Sequence, residues 1–430
     1  MEFKEYYLGE LCEIKSSKRI YAKDYVNKGI PFYRSKEIIE KSKGLDISQN
    51  LYIDNKKFEE IEEKHGIPET GDLLLTSVGT LGVPYIVKNE KFYFKDGNLT
   101  WFTNFKSLLN QYYLFYWFKS KEGKGEINRV TIGSTQKALT IKNLRYLKIT
   151  LPDKKNQFKI INLIQKIENK LENNKQVIAN LEELSQTIFK HWFVDFEFPD
   201  ENDNPYKSSG GEMVDSELGM IPKGWEIITI NDFANNNVIT GKTPSTKIKE
   251  NYSETGIPFL TIPDMHNDIF ALNTERYISE LGIEKLIKKV LPKNSLSISC
   301  IATPGLVCII ANDTLTNQQI NSFTPNKNAL YYLYFKLKSM KDYIRDLGSG
   351  GSATLNLNKT QFSKIKLVKP INEILYKYDK LVSPNFKMIL NIQKEIQQLT
   401  QLRDTLLPKL MSGEIEIPDD IEVMEDELSI

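Results

Sequence analysis

Polar loops in each half of this 430-residue chain carry side chains able to hydrogen-bond to nucleic-acid bases. Asn and Gln match the exposed edge of adenine, Arg matches guanine, and Lys, Ser and Thr suit phosphates. The first-half candidates are Lys18, Arg19, Lys23, Arg34, Ser35, Lys36, Thr76, Ser77, Thr80, Thr135, Gln136 and Lys137. The second-half candidates are Lys242, Thr243, Ser245, Thr246, Lys247, Asp264, His266, Thr303, Asn317, Gln318, Gln319, Thr354, Asn356, Asn358 and Lys359. Ordinary solvated loop polarity explains any single residue better, so the prediction concerns the loops as groups.

The formal net charge is only +1, but the charges are unevenly distributed. Residues 195–217 contain eight acids and one lysine, and residues 413–430 contain eight acids and no base. The remainder of the chain carries 56 basic against 40 acidic side chains. A basic body favours a polyanionic partner, although scattered surface lysines give the same excess in many proteins.

Catalytic motifs are weak throughout the chain. Residues 203–206, Asp-Asn-Pro-Tyr, approach an amino-methyltransferase motif but lack its second proline, and a turn is the better prediction. No GxxxxGK[ST] phosphate loop is present, which argues against ATP hydrolysis. The three histidines, His65, His191 and His266, are too far apart in sequence to suggest a metal site or a catalytic triad. We therefore expect no catalytic residue, no metal and no cofactor in this chain.

The cysteines and the hydropathy indicate the cellular compartment. Three cysteines, at positions 12, 300 and 308, form no zinc-like or CxxC spacing, which favours reduced, buried thiols. The sequence contains no uncharged apolar run of about 18 residues, so no membrane span is predicted. These features together predict a cytoplasmic protein.

The tetrapeptide GIPF occurs at residues 29–32 and again at residues 256–259. In both halves it follows a strand-like stretch and a lysine-bearing loop. An apolar run, an aromatic helical stretch, a Gly/Ser/Thr loop and a final strand come after it. This shared order predicts an internal duplication in which GIPF is scaffold. The aromatic stretches at residues 112–118 and 331–335 alternate with Leu at helical spacing, which favours core packing over base stacking.

Each half ends in a long heptad pattern, typical of a coiled coil. The predicted seam contains Ile164, Ile167, Leu171, Asn174, Ile178, Leu181 and Ile188 in the first helix, and Asn385, Ile389, Ile392, Ile396, Leu399 and Leu406 in the second. We expect antiparallel pairing, with Asn174 and Asn385 fixing the register. In the alternative, each helix packs only on its own globular half. Pro384 predicts a break, with a short helix ending near Leu381 and a long one starting at the proline.

The predicted fold class is α+β, with two duplicated α/β domains separated by two long helices forming an antiparallel coiled coil. The predicted segments are domain one at 1–150, a helical spacer at 151–196, an acidic linker at 197–224, domain two at 225–369, a second spacer at 370–412 and an acidic tail at 413–430. A helix over residues 157–192 would span ~54 Å. Such a rod suits two DNA sites separated by one or more helical turns of ~34–36 Å.

The chain resembles the specificity subunits of type I restriction–modification systems. The motifs that carry the resemblance are SELGMIPKGWE at residues 216–226, NLEELSQTIFKHWFVDFEF, NPYKSSGGEMVDSELG, ITGKTPS and LLPKLMSGEIEI. The resemblance implies two domains that each read one half of a bipartite, asymmetric double-stranded DNA site. It also implies helices that dock two methyltransferase subunits, which bind S-adenosylmethionine and methylate adenine. A motor and nuclease subunit that uses ATP and Mg²⁺ is implied as a further partner.

Two other classes of function remain open at the level of sequence. A coiled-coil scaffold for protein partners, without DNA specificity, would show the same helices. A single-chain modification enzyme is the third possibility, and the absence of a recognisable cofactor loop argues against it.

Overall fold

The structure of the chain, a computed structural model, describes residues 2–133, 137–266, 268–348 and 356–418. It divides into two compact units, one of Met1–Lys170 with Leu399–Ile430, and one of Leu171–Gln398. Each unit contains a globular lobe and part of two long helices. The described residues contain no helix with the combined length and apolar character of a membrane span.

The first lobe places its short strands in three sheets. Its elements are β1 (Lys4–Tyr7), α1 (Leu8–Leu11), β2 (Glu13–Lys15), β3 (Tyr25–Val26), β4 (Ile30–Tyr33), α2 (Ser35–Ser42), β5 (Tyr52–Ile53), α3 (Asn55–His65), β6 (Leu73–Thr76), β7 (Pro84–Ile86), β8 (Tyr93–Phe94), β9 (Leu99–Thr103), α4 (Gln111–Lys119), α5 (Lys121–Val130), α6 (Ile141–Arg145) and β10 (Lys148–Leu151). The sheets have the orders β2-β9-β6-β7, β3-β5-β4-β8 and β1-β10. Only the β4–β8 pairing among these is parallel.

The long helix α7 (Lys154–Phe193) and a hairpin of β11 (Met213–Val214) and β12 (Ile221–Pro222) precede the second lobe. Its elements are β13 (Glu226–Thr229), α8 (Ile230–Phe233), β14 (Ile239–Thr240), β15 (Tyr252–Ser253), β16 (Ile257–Leu260), β17 (Phe270–Ala271), β18 (Arg276–Ile278), α9 (Glu280–Glu284), β19 (Leu296–Ser299), β20 (Val307–Ile310), β21 (Leu315–Thr316), β22 (Ile320–Phe323), α10 (Leu330–Ser339), α11 (Lys341–Gly348), α12 (Lys359–Ser363) and β23 (Lys366–Lys369). The second long helix, α13 (Asn372–Ser412), follows.

The sheet topology of the two lobes confirms the predicted duplication. The second lobe has the orders β14-β22-β19-β20-β17, β15-β18-β16-β21 and β13-β23. These repeat the three sheets of the first lobe strand for strand, and β16 pairs parallel with β21 as β4 does with β8. The exception is β17, an added edge strand parallel to β20.

The aromatic helices form the core of each lobe, as their spacing predicts. In α4, Tyr113, Trp117 and Phe118 are fully buried in a cluster that also holds strand residues of β6 and β9. In α10, Tyr332 and Phe335 are buried against their own sheet in the same way. Burial of their ring faces leaves these side chains unavailable as stacking platforms for external bases.

The glycine of each GIPF immediately precedes a strand, and the other three residues begin it, β4 in one lobe and β16 in the other. A Cβ atom at Gly29 would lie 2.3 Å from the carbonyl oxygen of Ile53, and one at Gly256 would lie 2.4 Å from that of Ile278. Phe32 and Phe259 are buried beneath the strands. The tetrapeptide therefore recurs because the chain must pass close to a neighbouring backbone and then fill the core.

Helices α7 and α13 pack antiparallel in the second unit. Asn174 Nδ2 donates to Glu395 Oε2 at 3.0 Å, and Asn385 Nδ2 donates to Ser185 Oγ at 3.1 Å. Residue numbers thus rise along one helix as they fall along the other. Both predicted seam amides bond across the interface, although to different partners rather than to each other.

The same helices contact the lobe of each unit. In the first unit, Ile160 and Ile164 share a core with Leu410, and Glu168 accepts hydrogen bonds from Tyr116 and Lys119 of α4. In the second unit, Glu182 is bonded to Tyr334 and Lys338 of α10, and Gln393 Oε1 accepts from the backbone N–H of Phe270. Each helix therefore packs both on the other helix and on globular structure.

The predicted seam residues all lie at least half-buried. Ile164, Ile167, Leu171, Asn174, Ile389 and Ile392 are buried, and Ile178, Leu181, Ile188, Asn385, Ile396, Leu399 and Leu406 are half-buried. The heptad frame thus locates the packed face of both helices.

The predicted break at Pro384 is wrong, because α13 is continuous from Asn372 to Ser412. The proline ring is exposed. Because Pro384 has no backbone N–H, the carbonyl of Lys380, four residues earlier, has no helical donor, and Lys380 is exposed as well. Val382 and Phe386, one on each side, are fully buried. A proline inside a helix costs ~3 kcal/mol, whereas burying a Val or Phe side chain contributes ~1.5–3 kcal/mol each. Tertiary packing therefore outweighs the local penalty.

The predicted acidic linker is ordered where it adjoins the second lobe. Phe198 stacks on Trp225 with ring centroids 5.0 Å apart, and Tyr206 stacks on Phe198 at 4.6 Å. The chain turns at Asp203, which has φ of 62°, so the predicted turn is confirmed.

The prediction of reduced, buried thiols is confirmed as well, and burial raises the pKa of Cys12 to about 12.

We expect Gly29→Ala to destabilise the sheet that holds β4, because its methyl group has no space beside the carbonyl of Ile53. Overpacking of this kind costs ~1–3 kcal/mol. Hydrogen exchange of β4 and β5 amides measures the change. The control is Gly125→Ala in α5, where a Cβ meets nothing within 4 Å, and a gain of ~0.5–1 kcal/mol is expected. If the β4 and β5 amides are as well protected from exchange in Gly29→Ala as in Gly125→Ala, then Gly29 is not needed for the close approach to Ile53.

Candidate nucleic-acid interface

The predicted loops of the first lobe converge on the connection between β8 and β9, here named the first central loop (residues 95–98). The carbonyl oxygen of Asn98 accepts from the Ser35 hydroxyl at 3.0 Å and from the Ser77 backbone N–H at 2.8 Å. Ser17 Oγ donates to the carbonyl of Phe94 at 2.8 Å, immediately before this loop. Three loops that are distant in sequence therefore meet at one place.

A braced turn after β6 brings in the remaining loop of the first lobe. Thr76 Oγ1 donates to the carbonyl of Thr80 at 2.6 Å and accepts from the backbone N–H of Val83 at 2.9 Å. The backbone N–H of Leu139 donates to the carbonyl of Ser77 at 3.0 Å. The segment around Lys137 is thereby attached beside the turn.

The second lobe repeats this arrangement around the connection between β21 and β22, here named the second central loop (residues 317–319). The backbone N–H of Cys300 donates to the carbonyl of Gln319 at 2.8 Å, as that of Ser77 does to Asn98. The backbone N–H of Asn317 donates to the carbonyl of Leu260 at 3.2 Å, which attaches the segment after GIPF.

Gly241 permits the close contact between the ITGKTPS loop and the second central loop. A Cβ atom at this position would lie 2.2 Å from the carbonyl oxygen of Asn317. The next backbone N–H, that of Lys242, donates to the carbonyl of Thr316 at 2.9 Å. The glycine thus holds the lysine and Thr243 beside the central loop.

The turn after β19 is braced in the same way as its counterpart in the first lobe. Ser299 Oγ donates to the carbonyl of Thr303 at 2.5 Å and accepts from the backbone N–H of Leu306 at 2.9 Å. The backbone N–H of Leu357 donates to the carbonyl of Cys300 at 2.9 Å. In both lobes, therefore, the described parts of the predicted loops attach to the central loop or to the braced turn beside it.

The chain matches the type I restriction modification DNA specificity domain over residues 1–183 and 222–403, one match for each lobe. It belongs to the type I restriction–modification DNA specificity family. As a member, it carries two DNA specificity domains, one in each lobe.

Relatives and a solved structure extend this comparison. The chain is 35% identical over 329 residues to the type I restriction enzyme HindI specificity subunit of Haemophilus influenzae, covering 64% of this chain and 71% of that protein. It is 27% identical over 362 residues to the MjaIX specificity subunit of Methanocaldococcus jannaschii, covering 81% and 78%. The crystal structure of a type I system S subunit from M. genitalium has the same fold, with a TM-score of 0.59, 18% identity and coverage of 95% and 96%.

The predicted base-contacting residues of this specificity protein differ widely in exposure. Lys18, Arg19, Lys23, Lys36, Thr80, Lys137, Lys242, Ser245, Thr246, Lys247, His266, Thr303, Gln318, Asn356, Asn358 and Lys359 are exposed, and Arg34, Thr243, Asp264, Asn317 and Gln319 are half-buried. Thr135, Gln136 and Thr354 lie outside the described residues. Most of the described candidates thus remain accessible to a ligand.

Three predicted contacts are corrected by the structure. Ser35, Thr76 and Ser77 are buried, and their hydroxyls bond to Asn98, Thr80 and Thr100 respectively. A buried and satisfied hydroxyl cannot reach an external base. These three side chains hold the loops together instead.

Local hydrogen bonds also engage three of the accessible candidates. Arg34 forms an ion pair with Glu37 at 2.5 Å, and Asp264 accepts from the hydroxyl and backbone N–H of Thr261. The Asn358 side chain accepts from the backbone N–H of Gln361 at the start of α12. Their main role in the structure is to fix the ends of short helices.

Sequence reasoning missed the first central loop, Lys95 to Asn98, although it selected the equivalent Asn317, Gln318 and Gln319 in the second lobe. Asp96 forms an ion pair with Arg19, 2.7 Å between Asp Oδ2 and Arg Nε. This hydrogen bond raises the pKa of Arg19. Aligning the two halves from GIPF onwards, with YFKDGN against LTNQQ and one residue more in the first central loop, would have identified the missing loop.

Exposed cations lie on the predicted loops of the second lobe. Among the described residues, Lys242, Lys247 and Lys359 form no ion pair with a carboxylate. An uncompensated lysine at a surface attracts phosphate at long range. The convergent loops thus combine amide and hydroxyl groups with positive charge. No group of three His, Cys, Asp or Glu among the described residues is placed to hold a metal ion.

We expect Thr76→Val to loosen the turn after β6 without altering the core volume. The Val83 N–H loses its hydroxyl acceptor, and an unsatisfied buried donor costs ~1–3 kcal/mol. Faster hydrogen exchange at Val83 is the predicted readout. Thr150→Val is the matched control, because the Thr150 hydroxyl makes only a 3.4 Å contact with Glu122. Unchanged exchange at Val83 in the first variant would show that the hydroxyl does not brace the turn.

Proposed function

We propose that this chain is the sequence-specificity subunit of a type I restriction–modification complex, in which each lobe reads one half of a bipartite, asymmetric DNA site. The observation that carries this proposal is the convergence of the described polar loop segments on a central loop in both lobes of a chain from the DNA specificity family. The two lobes share a scaffold but differ in loop residues. Two different half-site sequences are the expected consequence.

The chain is expected to recognise DNA rather than to catalyse a reaction. Its relatives are named specificity subunits. Methylation of adenine with S-adenosylmethionine, and cleavage driven by ATP with Mg²⁺, are assigned to partner subunits. No residue of this chain is assigned a bond-making or bond-breaking step.

The long helices are the proposed docking surface for two methyltransferase subunits. Although α7 and α13 bury one face, Leu184, Leu381, Met388 and Leu402 on them are exposed by 46–53%. Apolar side chains on the outer face of a charged helix suit burial against another helix. A motor and nuclease subunit is proposed to join the complex thus formed.

Mapping methylated adenines in DNA from cells with and without this protein tests the proposed function directly. A motif of two short sequences with an unread gap should be methylated only when the chain is present. Methylation that does not depend on the chain would contradict the proposal.

We expect replacing Lys242, Lys247 and Lys359 together with Gln to weaken DNA binding similarly across sequences. Phosphate contacts release counterions, so the slope of log K against log salt should fall by about one for each lysine that contacts a phosphate. Equilibrium titrations at several salt concentrations measure both quantities.

The matched control replaces three other lysines of the second unit, Lys223, Lys366 and Lys369, with Gln. These pair with Glu212, Glu217 and Glu226 respectively. The control removes the same positive charge from the same unit, but it should leave the salt slope unchanged. An equal loss in both triple variants would place the DNA elsewhere on the lobe.

A further inference from the structure

One side-chain hydrogen bond connects the same two loops in each lobe. In the first lobe, Arg19 Nε donates to Asp96 Oδ2 at 2.7 Å. In the second lobe, Thr243 Oγ1 donates to Gln318 Oε1 at 2.6 Å. Arg19 and Thr243 follow the equivalent strands β2 and β14 by four and three residues, and Asp96 and Gln318 are both the second residue after β8 and β21. We name these two contacts the cross-loop pairs.

We propose that the cross-loop pair is the principal base-reading element of each lobe, with Arg19 reading guanine and Gln318 reading adenine. Asp96 and Thr243 are positioning residues that orient the reading side chain. This inference rests on the proposed function, since it requires that the lobes bind DNA.

The geometry of Arg19 fits guanine. Its side chain is 65% exposed, whereas that of Asp96 is only 15% exposed. The carboxylate engages Nε, and the Tyr21 side chain also hydrogen-bonds to the guanidinium. Because arginine has five N–H donors, terminal N–H groups remain for a further acceptor. Two parallel donors match the O6 and N7 acceptors of guanine in the major groove. Because Asp96 already restricts the rotamers of Arg19, less side-chain entropy is lost on binding.

The geometry of Gln318 fits adenine. The residue is exposed at the middle of the second central loop, and the Thr243 hydroxyl occupies one lone pair of its Oε1. The second lone pair can accept from the N6 amino group of adenine, while Nε2 donates to N7. Thr243 itself is held in place because the preceding Lys242 N–H bonds to the carbonyl of Thr316.

The polar side chains near the cross-loop pairs are less suited than the pairs to read bases. The buried hydroxyls of Ser35 and Ser77 are satisfied within the scaffold, and Asp264 is engaged by Thr261. Lys18 and Lys242 are exposed beside the pairs, and they present single charges suited to phosphate. The shared geometry thus leaves one planar hydrogen-bonding group in the cross-loop pair of each lobe, on the loop after β2 in the first lobe and on the second central loop in the second.

The experiment uses the full chain in complex with its methyltransferase subunits and selects bound duplexes from a randomised DNA pool. The variants Arg19→Gln and Gln318→Ala are compared with the unaltered chain. We expect Arg19→Gln to lose discrimination by about 10- to 100-fold at one G·C position of one half-site. We expect Gln318→Ala to do the same at one A·T position of the other half-site. All remaining positions should be unchanged.

The positioning residues have a separate readout. Asp96→Asn and Thr243→Val should weaken discrimination at the same two positions while keeping the preferred base, because the reading side chain is still present. Arg129→Gln is the matched control in the first lobe, since Arg129 forms a similar exposed pair with Glu126 at 2.5 Å, on α5. That variant should reproduce the unaltered motif. Thermal unfolding of each variant confirms that the lobe is folded.

Three outcomes would overturn the inference. Arg19→Gln could weaken binding equally at every sequence, which would identify Arg19 as a phosphate contact. If neither Arg19→Gln nor Gln318→Ala changes the selected motif, the reading side chains lie elsewhere. Both half-sites could change in one variant, which would contradict one reader per lobe. If the unaltered complex selects no motif at all, the proposed function fails first, and this result is distinct from the other three.

Discussion

The candidate interface depends on one backbone hydrogen bond in each lobe, from the N–H of Ser77 to the carbonyl of Asn98 and from the N–H of Cys300 to the carbonyl of Gln319. It ties the turn of a β-hairpin to the central loop, and the other loops attach to one or other of these two segments. Because the bond uses only main-chain atoms, side chains in the loops can vary without loss of the arrangement. A scaffold that places variable side chains at constant positions is suited to changing its target sequence.

The duplication shows this separation between scaffold and variable groups. Thr76 and Ser299 brace equivalent turns with equivalent hydrogen bonds, although one is Thr and the other Ser. At the cross-loop position, by contrast, an ion pair in the first lobe is replaced by a hydroxyl–amide pair in the second. The chemistry therefore differs where the side chain faces solvent and persists where it supports the backbone. The same fold accordingly presents two different hydrogen-bonding patterns.

Sequence periodicity predicted what depends on local spacing, and it failed where packing at long range decided. The heptad frame found the buried face of both helices, and the aromatic spacing identified α4 and α10 as core. The continuity of α13 through Pro384 depends on the burial of Val382 and Phe386. Helix rules that consider only neighbouring residues in the sequence do not take this burial into account. Likewise, the burial of Thr76 and Ser77 follows from pairing with distant residues. Polarity alone could not separate these hydroxyls from the exposed ones.

The two asparagine contacts in the helix seam of the second unit explain how a heptad repeat specifies one register. Asn174 meets Glu395, and Asn385 meets Ser185. A slip of one heptad would place Asn174 opposite Met388 or Leu402, both apolar, and would leave a buried amide without a partner.

The same slip would place Asn385 opposite Ile178 or Trp192, which are also apolar. Each unsatisfied buried amide costs ~1–3 kcal/mol. Apolar seam residues tolerate a heptad slip because they meet other apolar residues. The preference for the observed register over a shifted one therefore comes from these amides. Two polar positions, eleven residues apart on α7 and ten apart on α13, penalise slips in either direction. The polar seam residues thereby set the helix alignment that the apolar ones stabilise.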